Sequence, residues 1–294
     1  MNATIPSIRS FHRVVTLRAG ALNSRYLDRN RPLGESRLLF EIGTAGAAVR
    51  QLRARLGLDS GFLSRMLRSL ESVGLITTAK RAGDDGRVKF ARLTRAGRTE
   101  LRRLNELSDE LARSILAPLS AQQVDRLVAA MVEVERLLRA SAVVVDVEKP
   151  SSRDAVWCLE QYFHELDGRF RSGFDPKLSI SAAPEEMTPP NGYFVMARLF
   201  AEPIGCGALK ITSRDVGEVK RMWVAAPARN LGVGRRILGE IEHIAQRRKL
   251  KLLRLETNAS LKEAQALYRS SGYREVDAFN DEPYAHHWFE KRLR

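Results

Sequence analysis

Hydrophobic positions in the first half of the chain recur three or four residues apart, which is the spacing of one helix face. Between Arg9 and Tyr26 this spacing predicts an amphipathic helix. Two short runs, at 75–78 and 88–93, flank a charged, glycine-bearing stretch and predict two strands joined by a turn. Further helices are predicted at about residues 34–43, 48–56, 60–73, 95–116 and 121–140.

The pattern changes at residues 142–147, where a run rich in β-branched residues replaces the helical spacing. A chain of 294 residues is long enough for two domains, so we expect domains at 1–141 and 142–294. Strands alternate with helices in the second domain, which predicts an α/β architecture. The strands are predicted at about 142–147, 193–200, 204–212, 218–225, 251–256, 273–277 and 285–292, and the helices at 153–166, 233–248 and 260–271.

Charge is distributed unevenly between the two halves. The chain carries a formal charge of +14, of which residues 1–145 hold +11 and residues 146–294 hold +3. Because Lys and Arg neutralise phosphates, the basic first half favours a polyanionic partner. A basic surface that only aids solubility is the alternative at this point.

The two cysteines, Cys158 and Cys206, form no disulfide framework and show no metal-ligand spacing. We therefore expect reduced thiols, a cytoplasmic location and no bound metal. No apolar stretch approaches the roughly 18 residues of a membrane span, and the start of the chain lacks the pattern of a signal peptide. The expectation is a protein that is neither exported nor embedded in a membrane.

A glycine-bearing turn, Arg229–Gly234, separates the predicted strand ending near Val224 from the following helix. Such a turn directs backbone N–H groups and the positive end of a helix dipole at an anion, which suits a cofactor pyrophosphate. The turn matches neither the dinucleotide fingerprint G-x-G-x-x-G nor a P-loop. Glycines at strand-to-helix turns also serve packing, so both interpretations stay open on this motif alone.

Three motifs in this order resemble the GNAT family of acetyltransferases over about residues 142–294. The first is Arg229 with Gly232 and Gly234, and the others are Leu255–Asn258 and Ala266–Tyr273. The resemblance implies an α/β fold with a mixed, mostly antiparallel sheet, acetyl-CoA as acetyl donor and no metal. It also implies a strand near Trp223 that splays from its neighbour. The implied cofactor contacts are Trp223, Val224, Arg229, Asn230, Leu231, Gly232, Val233, Gly234, Arg235, Asn258 and Tyr268.

The same resemblance implies roles in acetyl transfer to an amine. Tyr268 is expected to protonate the departing thiolate, although a half-buried structural aromatic is the alternative. Glu218 is the candidate base acting through water, and a solvated carboxylate at a strand end is its alternative. Tyr162, Glu165 and Tyr284 are expected to line a pocket for a small amine, such as an amino acid or an amino-bearing metabolite, antibiotic or toxin. His286 and His287 are expected to be structural.

The predicted helix at 60–73 has a polar face with arginines opposite an apolar face, which suits insertion into a DNA major groove. An amphipathic helix with solvated arginines is the alternative. Residues 7–140 are similar to the MarR family of winged-helix regulators, and the match is carried by Leu63–Glu71, Gly74–Ile76 and Asp85–Arg87, with Leu93, Thr94 and Gly97.

The MarR resemblance implies a mainly α winged helix that binds a double-stranded DNA operator as a homodimer joined through its terminal helices. Arg87 is the wing-tip residue expected in the minor groove, braced by Asp85. Gly61 departs from the pattern, because it gives the helix a flexible first turn. The residues implied to face DNA bases or phosphates are Ser60, Ser64, Arg65 and Arg68.

These resemblances favour a bifunctional protein that binds DNA and acetylates a small amine. A second hypothesis is a regulator whose acetyltransferase-like half only senses acetyl-CoA or an effector. A third is an enzyme whose winged helix only dimerises. The intact turn with Tyr268 argues against the second, and Arg65, Arg68 and Arg87 argue against the third.

Overall fold

The computed structural model describes residues 4–80, 89–180 and 182–293. The chain divides into two compact units, Met1–Val132 and Glu133–Arg294, and each is described by itself. Within the described residues, no helix is both long and apolar enough to cross a membrane.

The first unit is mainly helical, with one small antiparallel sheet in the order β1-β3-β2. This architecture confirms the predicted winged-helix fold. The prediction of a helix at 9–26 was wrong at both ends, since α1 begins at Thr4 and ends at Arg18. The helix stops there because Gly20 adopts a left-handed conformation with φ 67°. The elements are α1 (Thr4–Arg18), α2 (Leu33–Ile42), β1 (Ala47–Ala48), α3 (Val49–Leu56), α4 (Ser60–Ser72), β2 (Ile76–Lys80), β3 (Lys89–Leu93) and α5 (Arg95–Leu116), followed by α6 (Ala121–Ser141), which begins in this unit and ends after the boundary at Val132.

Local sequence signals explain how α4 is placed. Asp59 caps the helix, since its carboxylate accepts a hydrogen bond from the Phe62 N–H at 2.8 Å. The apolar face of α4 is buried against the core of the unit, and this leaves its polar face at the surface. The buried residues are Leu63, Met66, Leu67 and Leu70.

A buried carboxylate connects α5 to the segment that precedes α2. Glu100 is 9% exposed and accepts hydrogen bonds from Arg29 at 3.0 and 2.7 Å, while Arg31 lies 3.5 Å away. The hydrogen bond from Arg29 lowers the pKa of Glu100, and the charge of Arg31 adds to this effect. Because the pKa is lower in the folded state, the stabilisation is present above the unfolded pKa and is lost as pH falls through the folded pKa.

We expect Glu100→Gln to lower the free energy of unfolding of the first unit by about 1–3 kcal/mol at pH 7, because two arginines lose their charged acceptor. The difference from the parent protein should shrink as the pH is lowered. Urea unfolding at several pH values measures this. Glu106→Gln, which removes an exposed partner of Arg103, is the control and should cost less than about 1 kcal/mol. Equal decreases in the free energy of unfolding for the two variants would contradict a stabilising role of the buried Glu100 carboxylate.

The second unit is an α/β domain with a seven-stranded sheet in the order β4-β5-β6-β7-β8-β10-β9. The strands are antiparallel except for the parallel pair β7 and β8, which confirms the predicted mixed, mostly antiparallel sheet. Its strands are β4 (Val143–Glu148), β5 (Gly192–Leu199), β6 (Glu202–Ile211), β7 (Val216–Val224), β8 (Leu252–Thr257), β9 (Arg274–Val276) and β10 (His287–Arg292), and its helices are α7 (Arg153–Arg169), α8 (Val233–Arg247) and α9 (Lys262–Ser270).

An opening lies between β7 and β8. The two strands pair only at Val216–Glu218 with Leu252–Arg254 and then diverge, which confirms the predicted splay. A bulge in β7 accompanies the opening: Cys206 pairs with Trp223 and Ala208 pairs with Lys220, so that Gly207 alone faces two residues. Arg221, inside the bulge, has φ 60°.

Candidate active site and nucleic-acid interface

The turn before α8 has the backbone geometry of an anion site. Asn230 and Gly232 both lie in the left-handed region, with φ 66° and 73°, and α8 starts at Val233. The unbonded N–H groups of the first helical turn and the positive helix end therefore meet at this turn. A Cβ added at Gly234 would lie 3.2 Å from Leu267 Cδ2, so the small residue also permits close packing against α9.

A groove of about 520 Å³ runs from this turn into the opening between β7 and β8. Most of the residues predicted to contact the cofactor line it together. Leu231 is the exception at the turn, because it is absent from the described lining of the groove and packs into the hydrophobic core. The predicted residues that line the groove are Trp223, Val224, Arg229, Asn230, Gly232, Val233, Gly234, Arg235 and Tyr268.

Glu165, predicted to bind the substrate, lines this groove instead of the neighbouring cavity. Its carboxylate accepts hydrogen bonds from Arg229 at 2.6 Å, from Arg169 at 3.0 Å and from the Trp223 indole N–H at 2.9 Å. These contacts connect α7 to the signature arginine of the turn. We infer that Glu165 orients Arg229.

A second cavity, of about 90 Å³, adjoins the groove. We call it the acceptor cavity. It is lined in part by Tyr162 and Tyr284, two of the three residues predicted to bind the substrate. The groove and the acceptor cavity therefore meet in one place. The residues that line both are Tyr162, Leu166, Met222, Leu261, Ala264 and Tyr268.

Tyr268 lies at this junction and is only 5% exposed. Burial raises the pKa of its phenol well above the ordinary value, and the neighbouring Tyr162 and Glu256 raise it further. Burial likewise raises the pKa of Tyr162 to about 12. Both phenols are therefore neutral hydrogen-bond donors near neutral pH.

Two carboxylates share one buried ammonium beside the acceptor cavity. Lys220 forms a short ion pair with Glu256 and lies 3.2 Å from Glu218. Burial raises the pKa of Glu256, and Lys220 offsets this only in part. Burial alone would lower the pKa of Lys220, but the two carboxylates raise it, so that Lys220 stays charged.

The predicted base, Glu218, and Glu256 differ in position. Glu256 lines the acceptor cavity, whereas Glu218 is absent from the described lining of both the cavity and the groove. The Oε2 atom of Glu256 is buried and has no hydrogen-bond partner among the residues that the structure describes. The structure thus brings Glu256, and not Glu218, to the predicted acid Tyr268.

Sequence reasoning did not single out Lys220, Arg221, Glu256 or Glu282, which all line the acceptor cavity. One feature of the sequence could have revealed them: they are charged residues, and most of them lie within predicted strands. A charged residue that is buried in a sheet needs a partner or a ligand.

Asn258 also lines the acceptor cavity rather than the groove. Its amide donates to the carbonyl oxygen of Tyr284 at 2.7 Å, and its Oδ1 accepts from the Ser260 N–H at 2.9 Å. Asn258 therefore fixes the segment that carries Tyr284. His287 contacts Glu275 at 2.5 Å and His286 is exposed, and neither lines the cavity or the groove in the described chain.

On the first unit, α4 presents its polar face at the surface. The predicted DNA-facing residues Ser60, Ser64, Arg65 and Arg68 are all exposed. The guanidinium of Arg65 lies 5.6 Å from the ring centre of Phe62, which holds the arginine over the start of the helix. The predicted wing residues Arg87 and Asp85 lie outside the described residues.

The terminal helices of the first unit leave apolar side chains exposed. Helix α1 has no buried residue, although it carries Ile8, Phe11 and Val14. In α6, Val128 and Met131 are also exposed. Such apolar surface is typical of an interface with another chain.

The fold and the groove define a protein with two units, in which a winged helix is followed by an α/β domain whose groove begins at a turn with the geometry of an anion site. Comparison with known proteins agrees. Residues 159–273 match the acetyltransferase (GNAT) family and residues 28–88 match the MarR family. The chain belongs to the GNAT family of acetyltransferases, and residues 28–88 of its N-terminal half match the MarR family, so both resemblances are confirmed.

Curated relatives cover about half of the chain. The "IAA acetyltransferase" of Azospirillum brasilense is 39% identical over 138 residues, which are 47% of this chain and 88% of the relative. The "Uncharacterized N-acetyltransferase YsnE" of Bacillus subtilis (strain 168) is 30% identical over 140 residues, which are 47% of this chain and 89% of the relative. A crystal structure of a mutant MarR from E. coli matches with a TM-score of 0.39 and 24% identity, and the match covers 43% of this chain and 93% of that one.

Proposed function

We propose that the protein is a homodimeric, DNA-binding transcriptional regulator that is also an acetyl-CoA-dependent N-acetyltransferase for a small amine. The observation that carries the enzymatic part is the junction at Tyr268. There a groove that begins at a helix N-terminus meets a separate cavity that contains a buried carboxylate. Such a layout suits two substrates that react where their sites meet.

The residues of the groove fit acetyl-CoA. The turn at Asn230–Val233 offers backbone N–H groups to a pyrophosphate, with Arg229 and Arg235 beside it. The diverging strands leave the edge of β7 near Val224 without a partner in β8, so that a pantetheine amide can hydrogen-bond there. Acetyl-CoA supplies a thioester, whose acetyl group passes to the amine nitrogen as the C–N bond forms and the C–S bond breaks.

The residues at the junction supply the proton transfers. Glu256 accepts a proton from the attacking amine, because its carboxylate lines the acceptor cavity and its raised pKa makes it a stronger base than an ordinary glutamate. Lys220 holds that carboxylate in place. Tyr268 donates a proton to the thiolate that leaves, and its phenol regains a proton through solvent.

The test is release of free thiol from acetyl-CoA by the full chain, measured with amino acids, polyamines, aminoglycosides and a basic peptide. Turnover with at least one small amine is the expected result. Acetyl-CoA binding without any turnover would favour the alternative, in which this half of the regulator senses acetyl-CoA or an effector.

The DNA-binding part of the proposal rests on α4. Its exposed arginines and serines lie on the face opposite the buried leucines, and the first half of the chain carries +11. A double-stranded DNA operator is the proposed partner. The exposed apolar side chains of α1 support a dimer of the 33.1 kDa chain, and light scattering that reports a monomer would contradict it.

We expect Arg65→Ala to weaken binding to operator DNA about tenfold and to reduce the salt slope by roughly one, because one phosphate contact is lost. Fluorescence anisotropy at several salt concentrations measures both quantities. Arg113→Ala, an exposed arginine at the far end of α5, is the matched control and should change neither. Unchanged affinity and slope in Arg65→Ala would exclude a contact between this residue and DNA.

A further inference from the structure

The acceptor cavity contains a buried cation that acetyl transfer itself does not require. Arg221 lines the cavity and is 8% exposed. Its guanidinium carbon lies 4.6 Å from the ring centre of Phe163 and 5.8 Å from that of Tyr162. A guanidinium stays ionised and carries five N–H donors in one plane, so it can serve more than one acceptor.

Two carboxylates of the acceptor cavity have positions fixed by their neighbours. Glu256 pairs with Lys220. Glu282 accepts hydrogen bonds from the Ile180 N–H at 2.7 Å and from the Ser179 hydroxyl at 2.9 Å, which hold it against that loop. The group from outside that best matches the planar donors of Arg221 is a ligand carboxylate.

An aromatic cluster forms another wall of the acceptor cavity. The ring of Phe174 lies 5.7 Å from Phe170 and 4.8 Å from Tyr284, between ring centres. These flat apolar side chains suit an apolar or aromatic group. The cavity volume of about 90 Å³ corresponds to roughly six to nine water molecules at ~10–15 Å³ each, which fits a single amino acid better than an aminoglycoside or a peptide.

We propose that the acceptor is an α-amino acid with an aromatic side chain, whose carboxylate binds Arg221 and whose ring contacts Phe170, Phe174 and Tyr284. This inference rests on the proposed acetyltransferase function. Arg221 and Tyr268 line the same cavity. Because the amine and the carboxylate of an α-amino acid share one carbon, a carboxylate bound by Arg221 keeps the amine inside the cavity that Tyr268 lines.

The experiment compares two acceptors that differ only at the proposed contact. L-phenylalaninol keeps the ring, the chirality and the amine of L-phenylalanine but lacks the carboxylate. Thiol release by the full chain should give a kcat/KM about 10- to 100-fold higher for L-phenylalanine, as expected for loss of a charge-assisted hydrogen bond. L-alanine, which lacks the ring, should also be a poorer acceptor than L-phenylalanine.

The variant Arg221→Gln should abolish the preference for L-phenylalanine, mostly through KM, while turnover of L-phenylalaninol continues and shows that the variant is folded. Arg254→Gln is the matched control. Its guanidinium lies 5.1 Å from the ring centre of Phe279, and it is absent from the described lining of the acceptor cavity. The control should keep the preference of the parent protein.

The outcomes separate this inference from the function on which it rests. Equal turnover of the two phenylalanine analogues by the parent protein would overturn the inference and leave acetyl transfer intact. Turnover restricted to amines that have no carboxylate would also overturn the inference and leave acetyl transfer intact. Failure to release thiol with any amine would remove the proposed function, and the inference with it.

Discussion

Replacing Tyr268 by Phe should lower kcat by about 100-fold or more, which is the usual scale of a lost general acid, while acetyl-CoA affinity changes little. The phenol lies where the groove meets the acceptor cavity, and its raised pKa keeps it protonated. Removing one oxygen keeps the buried ring, so packing should be preserved. Steady-state kinetics together with calorimetric titration of acetyl-CoA separate the two effects.

Tyr273→Phe is the matched control for this variant. Its ring centre lies 6.0 Å from that of Tyr268, and the residue is equally buried but absent from the described lining of both spaces. We expect kcat within about threefold of the parent protein, since a buried hydroxyl away from the reaction affects mainly stability. A kcat of Tyr268→Phe equal to that of Tyr273→Phe would remove Tyr268 from the role of acid.

The second large effect is expected for Glu256→Gln, which should reduce kcat/KM by about 100-fold at neutral pH because the amine loses its base. Burial raises the pKa of Glu256, so the carboxylate of the parent enzyme becomes protonated at a pH above the ordinary glutamate value of about 4.3. Activity of the parent should therefore fall as the pH decreases through that raised pKa. The variant should lack this acidic limb.

Glu218→Gln provides the comparison, because Glu218 contacts the same Lys220 and was the base predicted from the sequence. A pH–rate profile for each variant distinguishes the two carboxylates. If Glu256 is the base, Glu218→Gln keeps the acidic limb and most of the activity. A larger loss in Glu218→Gln, with the limb retained in Glu256→Gln, would restore the original assignment.

Local signals predicted much of the fold correctly. The spacing of apolar residues predicted α4, and the glycine-bearing turn predicted the start of α8 within one or two residues. These features depend on neighbours in sequence, which a periodicity analysis detects. The end of α1 at Arg18 was missed because its apolar spacing continues to Leu22 although the backbone turns at Gly20.

The chemistry of the acceptor cavity depends on contacts between distant segments, and these were not visible in the sequence. Glu165 was expected to bind the substrate, but its carboxylate accepts a hydrogen bond from Arg229, which is 64 residues away in the sequence. Lys220 and Glu256 meet only because β7 and β8 are neighbours in the sheet. Charged residues on a strand are ordinarily interpreted as a solvated face, so their burial as a pair was not predicted.

The bulge in β7 has a consequence for how this site can change. A regular strand shows only every second residue to one face, yet Val219, Lys220, Arg221 and Met222 all line the acceptor cavity. Deleting one residue there would restore regular alternation and move Trp223 to the opposite face. A point substitution at the cavity therefore changes one lining side chain and can alter which acceptor binds. An insertion or deletion in this strand changes the face of every following residue, and we expect it to abolish activity. Lineages that diverge in substrate should keep the length of β7 constant.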